Sequence, residues 1–198
     1  MSNGIAEAKA ALRNEFRERL RNLSQEERLA GAARIRQRLA ERPIWHAAQS
    51  VLFYVPTAAE PDLWPLVTEA LGQGKSVALP RYSSPADAYA ACLIRDASQD
   101  LEPGRFGILE PTPGCPVFNL KQLDLALVPG IGFSLGGGRL GRGKGYYDRL
   151  LSGLSAFKCG VAFECQVADE LPVEPHDIRL NCILTPERWH EVVGQPRF

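Results

Sequence analysis

The sequence predicts an α/β fold: a single domain, three-layer α/β/α with a mostly parallel sheet, preceded by two N-terminal helices. Strand-like and helix-like stretches alternate along the chain. Residues 50–55 are a continuous β-prone run and residues 123–128 a mainly apolar, strand-like one, as suits strands covered on both faces. Proline closes three such runs, at Val55-Pro56, Leu79-Pro80 and Val128-Pro129, at the carboxyl ends of strands where sheets of this kind bind ligands. A length of 198 residues suits one domain, with residues 1–42 forming a helical pair packed on it.

Residues 6–21 read as a helix whose apolar stripe is Leu12, Phe16, Leu20 and Leu23, with charge on the other face. Ser24-Gln25-Glu26-Glu27 is a capping box, and it opens a second helix with Leu29, Ala32, Ile35 and Leu39 inward. That helix stops before Pro43. Residues 50–55 are a strand and 63–71 a helix ended by Gly72 and Gly74. Strands follow at 76–80 and 89–94. Residues 96–120 are rich in Pro and Gly and read as an irregular surface loop. A buried strand at 123–128 precedes a long glycine segment. Residues 146–151 are helical, and strands at 159–163 and 181–184 complete the chain.

Composition narrows the function classes. The 23 basic side chains cancel the 23 acidic ones, so nothing global draws the protein to nucleic acid or an anionic membrane. The five cysteines are scattered and form no CxxC pair, which fits a reduced, cytoplasmic chain rather than a disulfide framework. No cationic-then-apolar leader opens the sequence, and no apolar run is long enough for a bilayer. A monomer without nucleic-acid or membrane partners is expected.

Any attraction for anions must therefore be local, and residues 129–149 supply it. Gly130, Gly132, Gly136, Gly137, Gly138, Gly141, Gly143 and Gly145 leave backbone N–H groups bare, while Arg139, Arg142, Lys144 and Arg149 add charge. The plainest reading is a phosphate cradle. Gly138-x-x-x-x-Gly143-Lys144 matches a P-loop up to the lysine, but Gly145 stands where that motif needs a hydroxyl for Mg²⁺. Gly132-x-Ser134-x-Gly136 matches the nucleophile elbow of serine hydrolases, and Asp169 and His176 follow in the right order. The elbow needs a helix directly after the serine, and three glycines are a poor start for one. The glycine spacing departs from the dinucleotide GxGxxG pattern. A flexible linker lacks anchors such as Leu140, Tyr146 and Tyr147.

Read as a unit, Val128-Pro129-Gly130-x-x-Phe133 followed by the run from Gly138 to Arg149 resembles the hallmark segment of the 5-formyltetrahydrofolate cyclo-ligases, also called 5,10-methenyltetrahydrofolate synthetases. Lys9-Ala10-Ala11-Leu12-Arg13 is similar to their N-terminal element, and Tyr54-Val55-Pro56 with Glu60 to their folate-side strand end. Leu101-x-x-Gly104-x-Phe106-Gly107-Ile108-x-Glu110-Pro111 resembles their middle loop, and Gln166, Leu171-Pro172-Val173 and His176-Asp177 their C-terminal segment. Two departures stand out. Ser134 occupies a position the family usually gives to Asp, and Glu60 is followed by Pro61-Asp62-Leu63 rather than a β-branched residue and Asp-Thr.

The resemblance implies an enzyme that uses ATP to cyclise 5-formyltetrahydrofolate to 5,10-methenyltetrahydrofolate, releasing ADP and phosphate. The implied route phosphorylates the formyl oxygen, after which N10 attacks the activated carbon. Arg139, Arg142 and Lys144 are the candidate catalytic cations. The implied ATP contacts are Lys9, Arg13, Gly138, Arg139, Leu140, Gly141, Arg142, Gly143, Lys144, Gly145 and Tyr146. Folate contacts would come from Val55, Glu60, Arg142, Gly143, Lys144, Gly145 and Tyr146. Mg²⁺ wants oxygen ligands. Asp148, just past the loop, and Asp177, by resemblance, are the candidates. Two alternatives remain: a catalytically silent homologue that only binds nucleotide or folate, and a serine hydrolase using Ser134.

Overall fold

The computed structural model describes residues 2–174 and 176–194, with the backbone alone of Ser2, Asn3 and Phe106. The N-terminal helices are α1 (Ser2–Arg21) and α2 (Gln25–Ala40). The capping box forms: Ser24 Oγ accepts from Glu27 N at 3.1 Å, and Glu27 Oε2 accepts from Ser24 N at 2.7 Å. Phe16 of α1 is buried against Ile131 and Leu140. Ile35 and Leu39 of α2 instead join the main core. Leu29, expected inward, is 62% exposed, because the buried stripe of α2 runs through Gly31, Ala32, Ile35 and Leu39 and leaves it to one side. A short α3 (Pro43–Ala47) starts at the proline expected to end α2.

Strands β1 (Ser50–Leu52), β2 (Ser76–Ser83) and β3 (Ala88–Ile94) follow, with α4 (Trp64–Gly72) between the first two. Residues 96–120 are less irregular than expected. They hold a small hairpin of β4 (Leu101–Pro103) and β5 (Leu109–Pro111). Next come β6 (Leu125–Val128), β7 (Gly132–Ser134), β8 (Arg139–Leu140), α5 (Tyr146–Ser152) and β9 (Phe157–Val161). The chain closes with β10 (Val167–Ala168), β11 (Cys182–Leu184) and β12 (Trp189–Glu191).

The central sheet has seven strands in the order β12-β11-β9-β6-β1-β2-β3. Its inner pairs are parallel and its two outermost pairs antiparallel. Alternation along β6 shows the layering: Leu125 and Leu127 join the core under α2, α3 and α4, while Ala126 and Val128 join the core under α5. From β1 the chain builds outward through β2 and β3. From β6 it builds the other way, through β9 and β11. The boundary between β1 and β6 is therefore the switch point of the sheet, and the segments leaving their carboxyl ends diverge there.

A second sheet, β10-β7-β8, carries the front of the glycine segment. Gly132 is needed there for close approach, since a Cβ would lie 2.4 Å from the Phe16 ring. The glycine segment thus begins as a hairpin and becomes a loop only after Leu140.

Candidate functional site

A cavity of about 280 Å³ opens at the switch point. From the carboxyl end of β1 come Tyr54, Val55 and Glu60, and from that of β6 come Pro129 and Gly130. The Tyr54 hydroxyl donates to Pro61 O at 2.7 Å, which pins the turn that carries Glu60. Pro80, Tyr89, Ile108, Leu109 and Glu110 form another wall. Arg139, Gly141, Arg142, Lys144 and Gly145 of the glycine segment, with Tyr146, Tyr147 and Asp148 of α5, form the rest. Gly143 and Gly145 have φ of 100° and 65°, left-handed values that a side chain would strain.

The cations about the cavity range from buried to exposed. Arg139 is buried and donates to Asp148 Oδ1 at 2.8 Å, and its Nε has no partner. Arg142 donates to Glu60 Oε1 at 3.0 Å and to Thr57 Oγ1 at 3.0 Å. The other Glu60 oxygen accepts from Thr57 N at 3.0 Å and Thr57 Oγ1 at 2.9 Å. Lys144 is exposed, and among the described residues it makes no ion pair. Arg13 Nε donates to Gly141 O at 2.9 Å, which fixes α1 to the loop, and its guanidinium lies beside Gly143.

Lys9 is buried, contrary to the surface position its charged helix suggests. Its Nζ donates to Asp177 Oδ2 at 2.6 Å and Glu174 Oε2 at 2.7 Å. Burial disfavours the ammonium, but these carboxylates outweigh it and raise the pKa above the ordinary lysine value. Burial likewise pushes the Asp177 carboxyl up, and Lys9 and the backbone N–H of Glu174 pull it below the usual range. Glu174, His176 and Asp177 place one ligand atom each within 4.8 Å of one another. Asp148 does not belong to this cluster.

Four tyrosines pack edge to face beside the cavity. Tyr146 lies 5.5 Å from both Tyr82 and Tyr89, and Tyr147 lies 5.9 Å from Tyr89. Asp87, at the tip of the β2–β3 hairpin, accepts from Tyr82 OH at 2.6 Å and Tyr146 OH at 3.2 Å. Burial, then the Glu60 carboxylate, raises the pKa of Tyr147, so its hydroxyl stays protonated.

Of the residues singled out by sequence, Val55, Glu60, Arg139, Gly141, Arg142, Lys144, Gly145, Tyr146 and Asp148 line this one cavity. Gly143 and Arg13 adjoin its loop. Gly138 lies at the β7–β8 turn, and the Leu140 side chain is buried beneath α1. Lys9 and Asp177 are paired to each other. Tyr54, Pro80, Tyr89, Ile108, Leu109 and Glu110 had no assigned role. Ile108 and Glu110 stand in the middle-loop motif, which was the available signal for them.

Ser134 does not sit on an elbow. Its strand turns back through Gly137, φ 82°, into β8 instead of entering a helix. Its hydroxyl is buried and accepts from Gly138 N at 3.1 Å. That contact closes the hairpin turn and removes the serine-hydrolase reading.

Bare backbone and cations in this cavity can hold a polyanion, and its aromatic walls and carboxylates can hold a planar ligand with N–H donors. Comparison with known proteins makes the class specific. Residues 5–186 match the model of the 5-formyltetrahydrofolate cyclo-ligase family, and the chain belongs to that family. It is 31% identical to the 5-formyltetrahydrofolate cyclo-ligase of Escherichia coli over 89% of this chain and 99% of that one. The mouse 5-formyltetrahydrofolate cyclo-ligase is 28% identical over 91% of this chain and 94% of its own. The solved structure of Aquifex aeolicus 5,10-methenyltetrahydrofolate synthetase superposes with a TM-score of 0.84 at 34% identity, over 96% of this chain and 95% of that one.

Proposed function

We propose that the protein cyclises 5-formyltetrahydrofolate to 5,10-methenyltetrahydrofolate at the cost of ATP, within the cavity at the β1/β6 switch point. The observation that carries this is the joining of Glu60 and the glycine loop across one cavity in a chain of this family. A formamide is a poor electrophile, and its oxygen is a poor leaving group. Transfer of the γ-phosphoryl to the formyl oxygen expels ADP. N10 then attacks the formyl carbon, its proton is lost, and phosphate departs with the former formyl oxygen. Phosphoryl transfer asks the protein for position and countercharge.

Lys144 and Arg142 are suited to follow the charge of the transferred group, since one has no ion pair among the described residues and the other is half exposed. Arg139 is held by Asp148 and serves as a fixed positive wall. In this reading Arg13 and the glycine N–H groups take the polyphosphate, Lys9 would reach it only by leaving its Asp177 and Glu174 partners, and Val55, Glu60 and the tyrosines take the pterin. Asp148 and Asp177 would each offer Mg²⁺ a hard oxygen, Asp148 the one outside its Arg139 bond and Asp177 the one outside its Lys9 bond, although among the described residues they do not fall in one ligand cluster. When bound, the ion would neutralise β- and γ-phosphate charge. Among the described residues no helix is long and apolar enough to cross a membrane. A cytoplasmic monomer without nucleic-acid partners, organised as one domain over residues 1–198, completes the reading.

The test is the growth of methenyl-folate absorbance from 5-formyltetrahydrofolate with and without ATP and Mg²⁺. ATP-dependent product is expected. Absence of product with sound substrate refutes the assignment, and tight folate binding without turnover would replace it with a silent folate binder.

A further inference from the structure

Glu110 is a buried carboxylate that the reaction described above does not use. Only 7% of it is exposed, and it lines the same cavity as Glu60. Its Oε2 accepts from Tyr82 N at 3.0 Å. Among the described residues neither oxygen has an ion-pair partner, and Oε1 has no hydrogen bond. The backbone makes room for it: a Cβ on Gly104 would lie 2.5 Å from both Cγ and Cδ of Glu110. Capping one β-strand N–H explains a hydrogen-bond acceptor here, but an uncharged amide oxygen would cap it equally well. Glu110 lines the cavity wall, so the oxygen that Tyr82 leaves free is available to a donor brought in by a ligand.

The cavity wall tells which donors those are. Both oxygens of Glu60 already accept hydrogen bonds, from Thr57 and Arg142. A reduced pterin presents N–H groups at its 2-amino group, N3 and N8, more than one carboxylate accepts. We infer that Glu110 is a second specificity-determining carboxylate, which accepts a pterin N–H through the oxygen not engaged by Tyr82. This rests on the folate reading of the cavity. It assigns recognition of the pterin to two carboxylates, one from the β1 end and one from β5.

The experiment is Glu110→Gln, which keeps the volume and the acceptor for Tyr82 N but replaces the remaining carboxylate oxygen with a donor. A hydrogen bond to a charged group is worth about ten- to a hundred-fold in affinity. Calorimetric Kd for 5-formyltetrahydrofolate without ATP, and KM for it with ATP, should rise by that factor while KM for ATP stays put. Unchanged folate affinity in the folded variant, or equal losses for folate and ATP, overturns the inference. The wild-type chain gives a second reading by NMR should the variant fail to fold. The Tyr82 amide and the Glu110 carboxyl carbon should shift on adding 5-formyltetrahydrofolate and not on adding ATP, and two unmoved signals overturn the inference. Because binding is read without turnover, a wild type that binds folate but makes no product sinks the enzymatic reading alone. A wild type that binds no folate sinks both.

Discussion

Substituting Gly132→Ala tests how α1 is tied to the site. The added Cβ would lie 2.4, 2.6 and 3.0 Å from three Phe16 ring carbons, against the 3.5 to 4.0 Å or so of ordinary carbon contact. Phe16 is 1% exposed and packs against Ile131 and Leu140, so the ring has no space to retreat into. Overpacking of this kind costs roughly 1–3 kcal/mol. Expelling the ring instead forfeits about 1.5–3 kcal/mol of burial, so about 2 kcal/mol is expected by either route. For a chain of this length that is a fall in Tm of roughly 4–8 °C. The effect must reach function, because α1 also carries Lys9 and Arg13. KM for ATP should rise with the loss of stability. Thermal melts and ATP titrations are run on Gly132→Ala, Phe16→Ala and the double variant. If the collision is the cause, Gly132→Ala costs less once Phe16 is gone. Full additivity, or a Gly132→Ala protein with the wild-type melt and KM, would refute the packing argument.

Lys144→Ala should leave the melt within about 0.5 kcal/mol of wild type, because the side chain is exposed. It should lower kcat at least about a hundred-fold in the methenyl-folate assay, the scale of losing one transition-state charge contact. Glu60→Gln should weaken folate binding in calorimetry while changing stability little, since its partner Arg142 is 54% exposed and such pairs contribute under about 1 kcal/mol. The capping box gives a pH prediction. The backbone and side chain of Ser24 hold the Glu27 carboxyl below its ordinary value of 4.5. A depressed carboxyl stabilises the fold above its unfolded pKa, and that contribution is lost as pH falls through the lower folded value. The Tm gap between wild type and Glu27→Ala should therefore be constant above about pH 5 and shrink below 4.5.

The layered fold was legible because its information is local. The apolar runs at β1 and β6 and the capping box at Ser24 each announce themselves within a few residues. The glycine loop was legible for the same reason, as charge and bare backbone sit together. Lys9 was not legible from its helix, because the carboxylates that bury it lie 165 and 168 residues away. Leu140 reads as a loop residue until α1 covers it. Glu110 was hidden differently: strands of three residues with prolines in both carry no usable alternation, so β4 and β5 dissolved into a loop. Ser134 matched a short motif, yet the three glycines after it already argued against the helix an elbow needs, and a hairpin turn stands there.

The two arginine–carboxylate pairs of the cavity divide the work of holding charge. The Arg139–Asp148 pair has side-chain exposures of 4% and 20%, so breaking it leaves a buried ion at a cost of roughly 3–5 kcal/mol. Arg139 is therefore a fixed charge, already oriented before any ligand enters. Arg142 reaches Glu60 from a side chain that is 54% exposed, so its head can pass to water when the contact opens, while Glu60, 10% exposed, keeps its two Thr57 bonds. Glu60 is the residue proposed to read the pterin. A ligand that donates to Glu60 Oε1 would share that oxygen with Arg142 and weaken its hold on the arginine. The β1 end and the glycine loop are joined through this pair, so bound folate is expected to shift the ATP affinity in calorimetry, and an ATP affinity unmoved by folate refutes the coupling.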